Sequence, residues 1–295
     1  MSEGDSVSKS ARVFLVALMV APLAAVLSPA SSSAAGTTVT TNVRVATWNV
    51  QVRRTVSEFT RGVVPLAARS DLIGLQEVDT RDKEHVLAGL ADSGWSYYRA
   101  KPALQMPVLW RHDRFSLAGA RVAQISGATY IGNEAPGMKA SQHARYASVV
   151  RLVDKVTGRR VSVVNAHLVS GAVRGGRPWV GRPRLFGLYR TGLANLTALA
   201  ARERAWGRVF VLGDFNAGWV ADRKWLRRRL PIRAMGGIGF QSMWAAARPS
   251  NGLGTRNDAL IDQVYTNMRP LGSRVQFDLS GLSDHRPAVA LYPAP

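Results

Sequence analysis

The sequence predicts a layered α/β sandwich folded as one domain. Short apolar, β-branched runs recur along most of the chain, and stretches of helical spacing lie between them. Hydrophobic residues make up 46% of the 295 positions, enough for a large core.

In chain order, the predicted strands are Val43–Trp48, Asp71–Gln76, Val108–Trp110, Tyr146–Val153, Val161–Ala166, Arg208–Leu212, Leu260–Thr266 and Ala288–Tyr292. Tyr146–Val153 and Val161–Ala166 read as a hairpin pair, with Thr157-Gly158 supplying the turn. Helices are expected over Val56–Ala68, Glu84–Asp92, Tyr189–Trp206 and Ala221–Leu230, the last stopped by Pro231. Tyr189–Trp206 carries Leu193, Leu196, Leu199 and Ala200 at near-helical spacing. There is no internal repeat and no heptad pattern.

Residues 1–35 read as an export signal: Lys9 and Arg12 precede the apolar run Val13–Leu27, and small residues continue to Ala34-Ala35. That run is shorter than the ~20 residues a spanning helix needs. The expectation is therefore a secreted protein with no permanent membrane span after cleavage, a short leader at 36–42 and a monomeric domain at 43–295.

Lys and Arg total 39 against 19 Asp and Glu, a net charge of +20. Glu3, Asp5, Lys9 and Arg12 cancel within the signal, so the remainder keeps the whole excess. Such a field concentrates polyanions: nucleic acid, anionic lipid or acidic cell-wall polymers. A solvated basic surface is the plainer alternative. The chain has no cysteine, which excludes disulfides, zinc-thiolate sites and a Cys nucleophile.

The chemistry sits at strand ends. Val45-Ala46-Thr47-Trp48 ends at Asn49, Leu72-Ile73-Gly74-Leu75 at Gln76-Glu77, Val163-Val164-Asn165-Ala166 at His167, and Val209–Gly213 at Asp214-Phe215-Asn216. Leu260-Ile261 runs into Asp262, and Ser283-Asp284-His285 precedes the last strand. Singly, each has a plain reading: a turn cap, an Asx turn, a salt-bridged strand end, a core histidine. Together they are costly to bury unless they converge on a partner or a metal. An oxygen-rich set without thiolates favours a hard cation, Mg²⁺ first, with Mn²⁺ or Ca²⁺ as alternatives.

Trp48-Asn49, Leu75-Gln76-Glu77-Val78, Asn165-Ala166-His167, Leu212-Gly213-Asp214-Phe215-Asn216, Ile261-Asp262 and Ser283-Asp284-His285-Arg286-Pro287 resemble the signature blocks of the endonuclease/exonuclease/phosphatase superfamily, to which deoxyribonuclease I belongs. The resemblance spans about residues 43 to 292. It implies a four-layer α/β/β/α sandwich of two packed mixed sheets flanked by helices, and a divalent-metal-dependent phosphoric ester hydrolase. It also implies roles. Glu77 binds the cation, helped by Asn49 and Asp284. Asp214 orients and deprotonates the attacking water. Asn216 holds a phosphate oxygen, and Asp262 orients His285, which stabilises charge on the phosphoryl oxygens. His167 protonates or stabilises the leaving group. Arg145 resembles a phosphate-contacting arginine of the deoxyribonuclease branch. That branch pairs the histidine at the His167 position with a Glu; the matching stretch here offers Gln105, which weakens the case for His167 as a strong general acid.

For substrate, Arg174, Arg177, Arg182, Arg184 and Arg190 interleave with Trp179, Phe186 and Tyr189 directly after His167, and Arg227-Arg228-Arg229 adds a second basic cluster. Arginines among aromatics suit a phosphate backbone and base stacking; a disordered basic loop and a solvated helix face are the plainer reading. The expectation is a nuclease acting on DNA or RNA. A phospholipid phosphodiesterase or phosphatase is the second reading, and a catalytically inactive polyanion-binding protein the third.

Overall fold

A computed structural model describes residues 42–226, 230–246 and 253–295. The expected signal, nearly all of the leader and the Arg227-Arg228-Arg229 cluster lie outside the described residues. In chain order the elements are β1 (Val43–Asn49), α1 (Val56–Ala68), β2 (Leu72–Gln76), α2 (Arg81–Gly89), β3 (Trp95–Tyr98), β4 (Val108–Arg111), β5 (Phe115–Ser126), β6 (Thr129–Tyr130), β7 (Ser141–Gln142), β8 (Arg145–Asp154), β9 (Arg160–His167), β10 (Val173–Arg174), β11 (Arg177–Pro178), α3 (Pro183–Glu203), β12 (Arg208–Asp214), α4 (Trp219–Trp225), α5 (Pro231–Gly236), β13 (Gln241–Ser242), β14 (Asp262–Thr266), β15 (Gly272–Val275) and β16 (Ala288–Tyr292).

Two six-stranded mixed sheets dominate, one in the order β15-β16-β1-β2-β4-β3 and the other β13-β14-β12-β9-β8-β5. The two-residue period of a strand sends alternate side chains to opposite faces. Along β12, Phe210 and Leu212 enter the core between the sheets, while Val209 and Val211 enter the core beneath α3. Along β1, Val43 and Val45 face the second sheet, while Ala46 and Trp48 pack with Phe59, Val63 and Leu66 of α1. Three buried clusters thus fill three interfaces between four layers, the α/β/β/α arrangement. Contact between the sheets is close: a Cβ on Gly74 would stand 1.7 Å from Leu212 Cδ1.

The two parallel pairings decide where function collects. β1 pairs with β2 and β9 with β12, each across a helical crossover, so four strands end at one rim. β14 runs antiparallel to β12, which sets the start of β14 opposite the end of β12, with Asp262 against Asp214. β16 runs antiparallel to β1, returning residues 283–285 to the same rim.

Several elements depart from the expected ones. α3 begins at Pro183, not Tyr189, because a distant carboxylate caps it: Glu134 accepts from the backbone N–H groups of Arg184 and Leu185 at 2.9 and 3.1 Å. Half of the arginine-aromatic stretch is therefore helix. α2 starts earlier, at Arg81, capped by the Thr80 hydroxyl, and its last turn is a 3-10 segment over Leu90–Ser93. The helix expected over Ala221–Leu230 is instead α4, ending at Trp225, and Pro231 opens α5 at its first turn, where a missing N–H costs nothing. β3, β5 and β15 lie at sheet edges, and β5 carries few buried residues, which hides its alternation. No helix among the described residues is long and apolar enough to cross a membrane.

Candidate active site

Seven of the eight strand-end residues line one open pocket of about 290 Å³: Asn49, Glu77, His167, Asp214, Asn216, Asp284 and His285. Asp262, the eighth, lies fully buried behind His285 and accepts its Nδ1–H at 2.8 Å.

Asn49 ends β1 and ties the two sheets together. Its Nδ2 donates to Glu77 Oε1 at 2.9 Å and to Asp214 Oδ2 at 3.2 Å, while its Oδ1 accepts from the Gln51 N–H at 3.0 Å. Glu77 comes directly after β2 in a left-handed conformation, φ 66°. That conformation is unfavourable for a non-glycine residue by about 1–2 kcal/mol, and such strain gathers at functional sites. Here it accompanies a carboxylate that faces the pocket, where Oε2 accepts the Val52 N–H at 2.9 Å. Asn216 is also left-handed, φ 49°, and its backbone N–H donates to Asp214 Oδ1 at 2.8 Å. The Asn216 amide donates to Leu168 O at 2.9 Å, leaving its second N–H for the pocket.

The loop before β16 is fastened to β1 from both sides. Ser283 Oγ donates to Asn49 O at 2.8 Å, and Trp48 Nε1 donates to His285 O at 3.1 Å. His285 Nε2 then stands 3.8 Å from Asp214 Oδ2, and His167 Nε2 stands 3.4 Å from the same oxygen. One Asp214 oxygen therefore faces two imidazoles and an amide.

These surroundings set the protonation states. Burial alone would push His285 down, but the Asp262 charge and hydrogen bond, with Asp214 and Asp284, raise its pKa to about 9. His167 goes the other way: burial lowers its pKa against the pull of Asp214 and Glu77, which favours a neutral ring. Asp214 is pushed above the usual carboxylate range by burial and by the nearby Asp262 charge. For Glu77, burial works upward, yet the Asn49 amide, the Val52 N–H and the charged His285 bring it below the usual range. The site thus holds a charged imidazole, a neutral one, and a carboxylate with strengthened basicity.

Asp214, Asp262 and His285 offer ligand atoms within 4.8 Å of one another. All three are buried, and the short His285–Asp262 bond already uses the group internally. Glu77 is the better fit for a divalent cation. It is in the pocket, it is ionised, and it makes no ion pair among the described residues, although each of its oxygens accepts one N–H. Asn49 and Asp284 line the same pocket and offer further oxygens of the kind hard cations take, although Asn49 turns Nδ2 toward Glu77 and its Oδ1 accepts the Gln51 N–H. Asp284 is paired with Arg256 at 3.0 Å.

Arg145 opens β8 beside this group. Burial lowers its guanidinium pKa and the Glu77 charge raises it; Nε is buried without a partner. It is not among the residues that line the pocket. Gln105 is exposed, and its backbone carbonyl accepts the Val78 N–H; the carboxylate beside His167 is that of Asp214, 3.4 Å from Nε2. Sequence reasoning missed Arg53, Ser170 and Arg256, all of which line the pocket. Arg53 and Ser170 lie within four residues of Asn49 and His167, which was the available signal; Arg256 lies in an irregular turn with none.

The model of the Endonuclease/Exonuclease/phosphatase family matches residues 46–285. An endonuclease/exonuclease/phosphatase family protein from Bacteroides thetaiotaomicron superposes with a TM-score of 0.62 at 14% identity, covering 86% of this chain and 99% of its own. D. rerio TDP2, solved with a single strand DNA product, gives 0.57 at 12% identity, covering 86% and 100%. The human Nocturnin catalytic domain, solved with a bound sulfate anion, gives 0.57 at 18% identity, covering 85% and 94%. At these identities the likeness concerns the fold. Among curated proteins, none matches.

Proposed function

The chain belongs to the Endonuclease/Exonuclease/phosphatase family, and from that premise we propose that it is a secreted, divalent-metal-dependent phosphodiesterase that cleaves nucleic acid. One observation carries the chemistry: the buried Asp214 Oδ2 lies 3.8 Å from His285 Nε2 and 3.4 Å from His167 Nε2, and the Asn49 amide bridges it to Glu77.

Asp214 Oδ2 orients a water in the pocket and takes its proton as the water attacks phosphorus. Its Oδ1 is held by the Asn216 N–H, which fixes the carboxylate plane. His285, kept protonated by Asp262, donates to the phosphoryl oxygens as charge builds on them. The free N–H of Asn216 holds a second phosphate oxygen. The ester bond between phosphorus and the leaving oxygen breaks as the new P–O bond forms; His167, neutral and on the pocket wall, donates to that leaving oxygen, and Arg145 adds positive potential. Glu77 and Asn49, with Asp284, would hold a divalent cation, Mg²⁺ being the first choice, and the cation would supply Lewis-acid neutralisation of the phosphate charge.

Nucleic acid as the substrate is supported by the +20 charge and by the arginines beyond His167. It is also supported by the single strand DNA product bound to the TDP2 of the same fold. Secretion is supported by the signal-like residues 1–35.

The test uses plasmid DNA, RNA, and sphingomyelin and phosphatidylglycerol vesicles, each with Mg²⁺ or with EDTA. Nucleic acid should be cut with Mg²⁺ and not with EDTA, and the vesicles should release no headgroup. Asp214→Ala and His285→Ala should each lose roughly 10²–10⁴-fold in rate while staying folded. Cleavage in EDTA would remove the metal from the assignment, and headgroup release would move the substrate to phospholipid.

A further inference from the structure

β9 and β12, the parallel strands that deliver His167 and Asp214, also launch two neighbouring segments. After β9 the chain passes Ser170 of the pocket wall and forms the β10–β11 hairpin; after β12 it passes Asn216 and enters α4. Neighbouring strands give neighbouring extensions, and these two are packed tightly. Gly176, at the hairpin turn with φ +72°, lies so close to α4 that a Cβ there would stand 2.2 Å from Ala221 O. Only glycine fits that approach.

The joined surface carries two stacked pairs. The Arg177 guanidinium carbon lies 3.3 Å from the centre of the Trp225 ring, and that of Arg182 lies 3.4 Å from the Trp179 ring. At such distances a guanidinium must lie flat, because an edge-on one would drive a nitrogen into the ring. Arg174 and Lys224 approach the same two rings at 5.1 and 5.4 Å. Arg182 Nη1 also donates to Gly171 O at 3.0 Å, which locks its position. None of these four cations is ion-paired among the described residues, whereas Arg184 pairs with Glu134 and Arg256 with Asp284. The one carboxylate of α4, Asp222, is buried and turned to the Ile232 N–H. The surface is therefore pre-organised and wholly cationic.

Resting on the nucleolytic reading of the pocket, we infer that the β10–β11 hairpin and α4 form a platform for single-stranded polynucleotide, holding the strand that runs out from the pocket. Flat guanidiniums offer an outer plane on which an unpaired base stacks, and an N–H edge for the adjoining phosphate. A duplex hides its base faces and would use the charge alone. A bilayer fits less well. Val180 is 93% exposed, yet a membrane reaching it would strip water from the guanidiniums lying on both indoles.

The experiment uses the full chain carrying Asp214→Asn, so that binding is read without cleavage. The probes are a fluorescent 30-nucleotide single strand, the matching duplex, and phosphatidylcholine/phosphatidylglycerol vesicles. Arg177→Gln with Arg182→Gln should weaken single-strand binding about tenfold and reduce the salt slope by about 1.4, since each phosphate contact contributes roughly 0.7. Arg177→Lys should keep the salt slope but lose affinity, because a lysine carries the charge without the stacking plane. In otherwise wild-type protein the paired change should raise KM for the 30-nucleotide strand and leave kcat at saturation. The melting temperature serves as the folding control. Unchanged single-strand binding, equal preference for duplex, or a loss confined to vesicle binding would each overturn the platform. If the protein cleaves no nucleic acid yet binds it through Arg177 and Arg182, the nucleolytic reading fails and the platform stands. Cleavage that ignores both arginines has the opposite meaning.

Discussion

Replacing Asp262 by Asn removes the charge behind His285 and leaves a side chain of nearly the same shape. Burial then acts on His285 with its main counterweight gone, so its pKa must fall from about 9 toward, or below, the ordinary 6.5. Taking 6.5 as the landing point, the change corresponds to about 3.4 kcal/mol. At pH 8 the protonated fraction drops from about 0.9 to about 0.03, roughly a thirtyfold loss of kcat/KM if charged His285 stabilises the transition state. At pH 6 most of the imidazole is protonated in both proteins, about 0.76 against nearly 1, and the deficit shrinks to about 1.3-fold. Stability has the same sign. The folded pKa lies above the unfolded one, so the contribution of the pair is complete below about pH 6.5 and disappears as pH rises through about 9. Initial rates on a short oligonucleotide from pH 5.5 to 10, with urea melts at each pH, measure both. An alkaline limb that stays near 9 in Asp262→Asn, or a deficit equal at every pH, refutes the account of His285.

Two further changes probe the scaffold. Asp222 is buried, with its pKa raised by desolvation to about 6 and one oxygen unpartnered, so the folded state disfavours its charge. Its unfavourable contribution grows as pH rises from 3.8 through 6; Asp222→Asn should therefore stabilise by up to about 3 kcal/mol at pH 8 and little at pH 4, and equal urea midpoint shifts at both pH values would contradict this. Gly213 has φ +147°, and a Cβ there would stand 1.8 Å from Ala166 O on the paired strand. Gly213→Ala should cost about 3 kcal/mol or more by forcing β9 and β12 apart, and should lower the melting temperature and turnover together; an unchanged melting temperature would show that the strands yield at no cost.

The site was more legible in the sequence than the fold around it, for a physical reason. A buried carboxylate or imidazole at the end of an apolar run is expensive, so Glu77, Asp214, Asp262 and His285 stand out even in a single sequence. Long buried strands such as β9 and β12 announce themselves by composition, and the capped α1 matched its expected bounds at Val56 and Ala68. Edge strands do not: β5 pairs only with β8 and buries little beyond its two ends, so its twelve residues show no continuous apolar alternation. Signals that act across space also escape. Glu134 starts α3 from fifty residues away, and nothing near Arg256 in sequence marks it as part of the pocket wall.

How so many charged groups share so small a volume depends on the fastening of the rim. Asp214, Asp262, Glu77 and Asp284 would repel one another on a flexible edge, and relaxation would separate them. Here the backbone holds the central ones in place. Asp214 and Asp262 face each other across a ladder pair, and Asp214 and His167 across another. Glu77 is held by the Val52 N–H, and His285 by the Trp48 indole and the Ser283 latch. Trp48 is itself fully buried and tightly packed, with α1 so close that a Cβ on Gly62 would stand 2.1 Å from its ring. The repulsion is thus retained as raised basicity at Asp214 and a tightly held proton at His285, instead of being relieved by movement. Packing between α1 and β1, remote from any reacting atom, is what keeps the imidazole at bonding distance from Asp262 and within reach of Asp214.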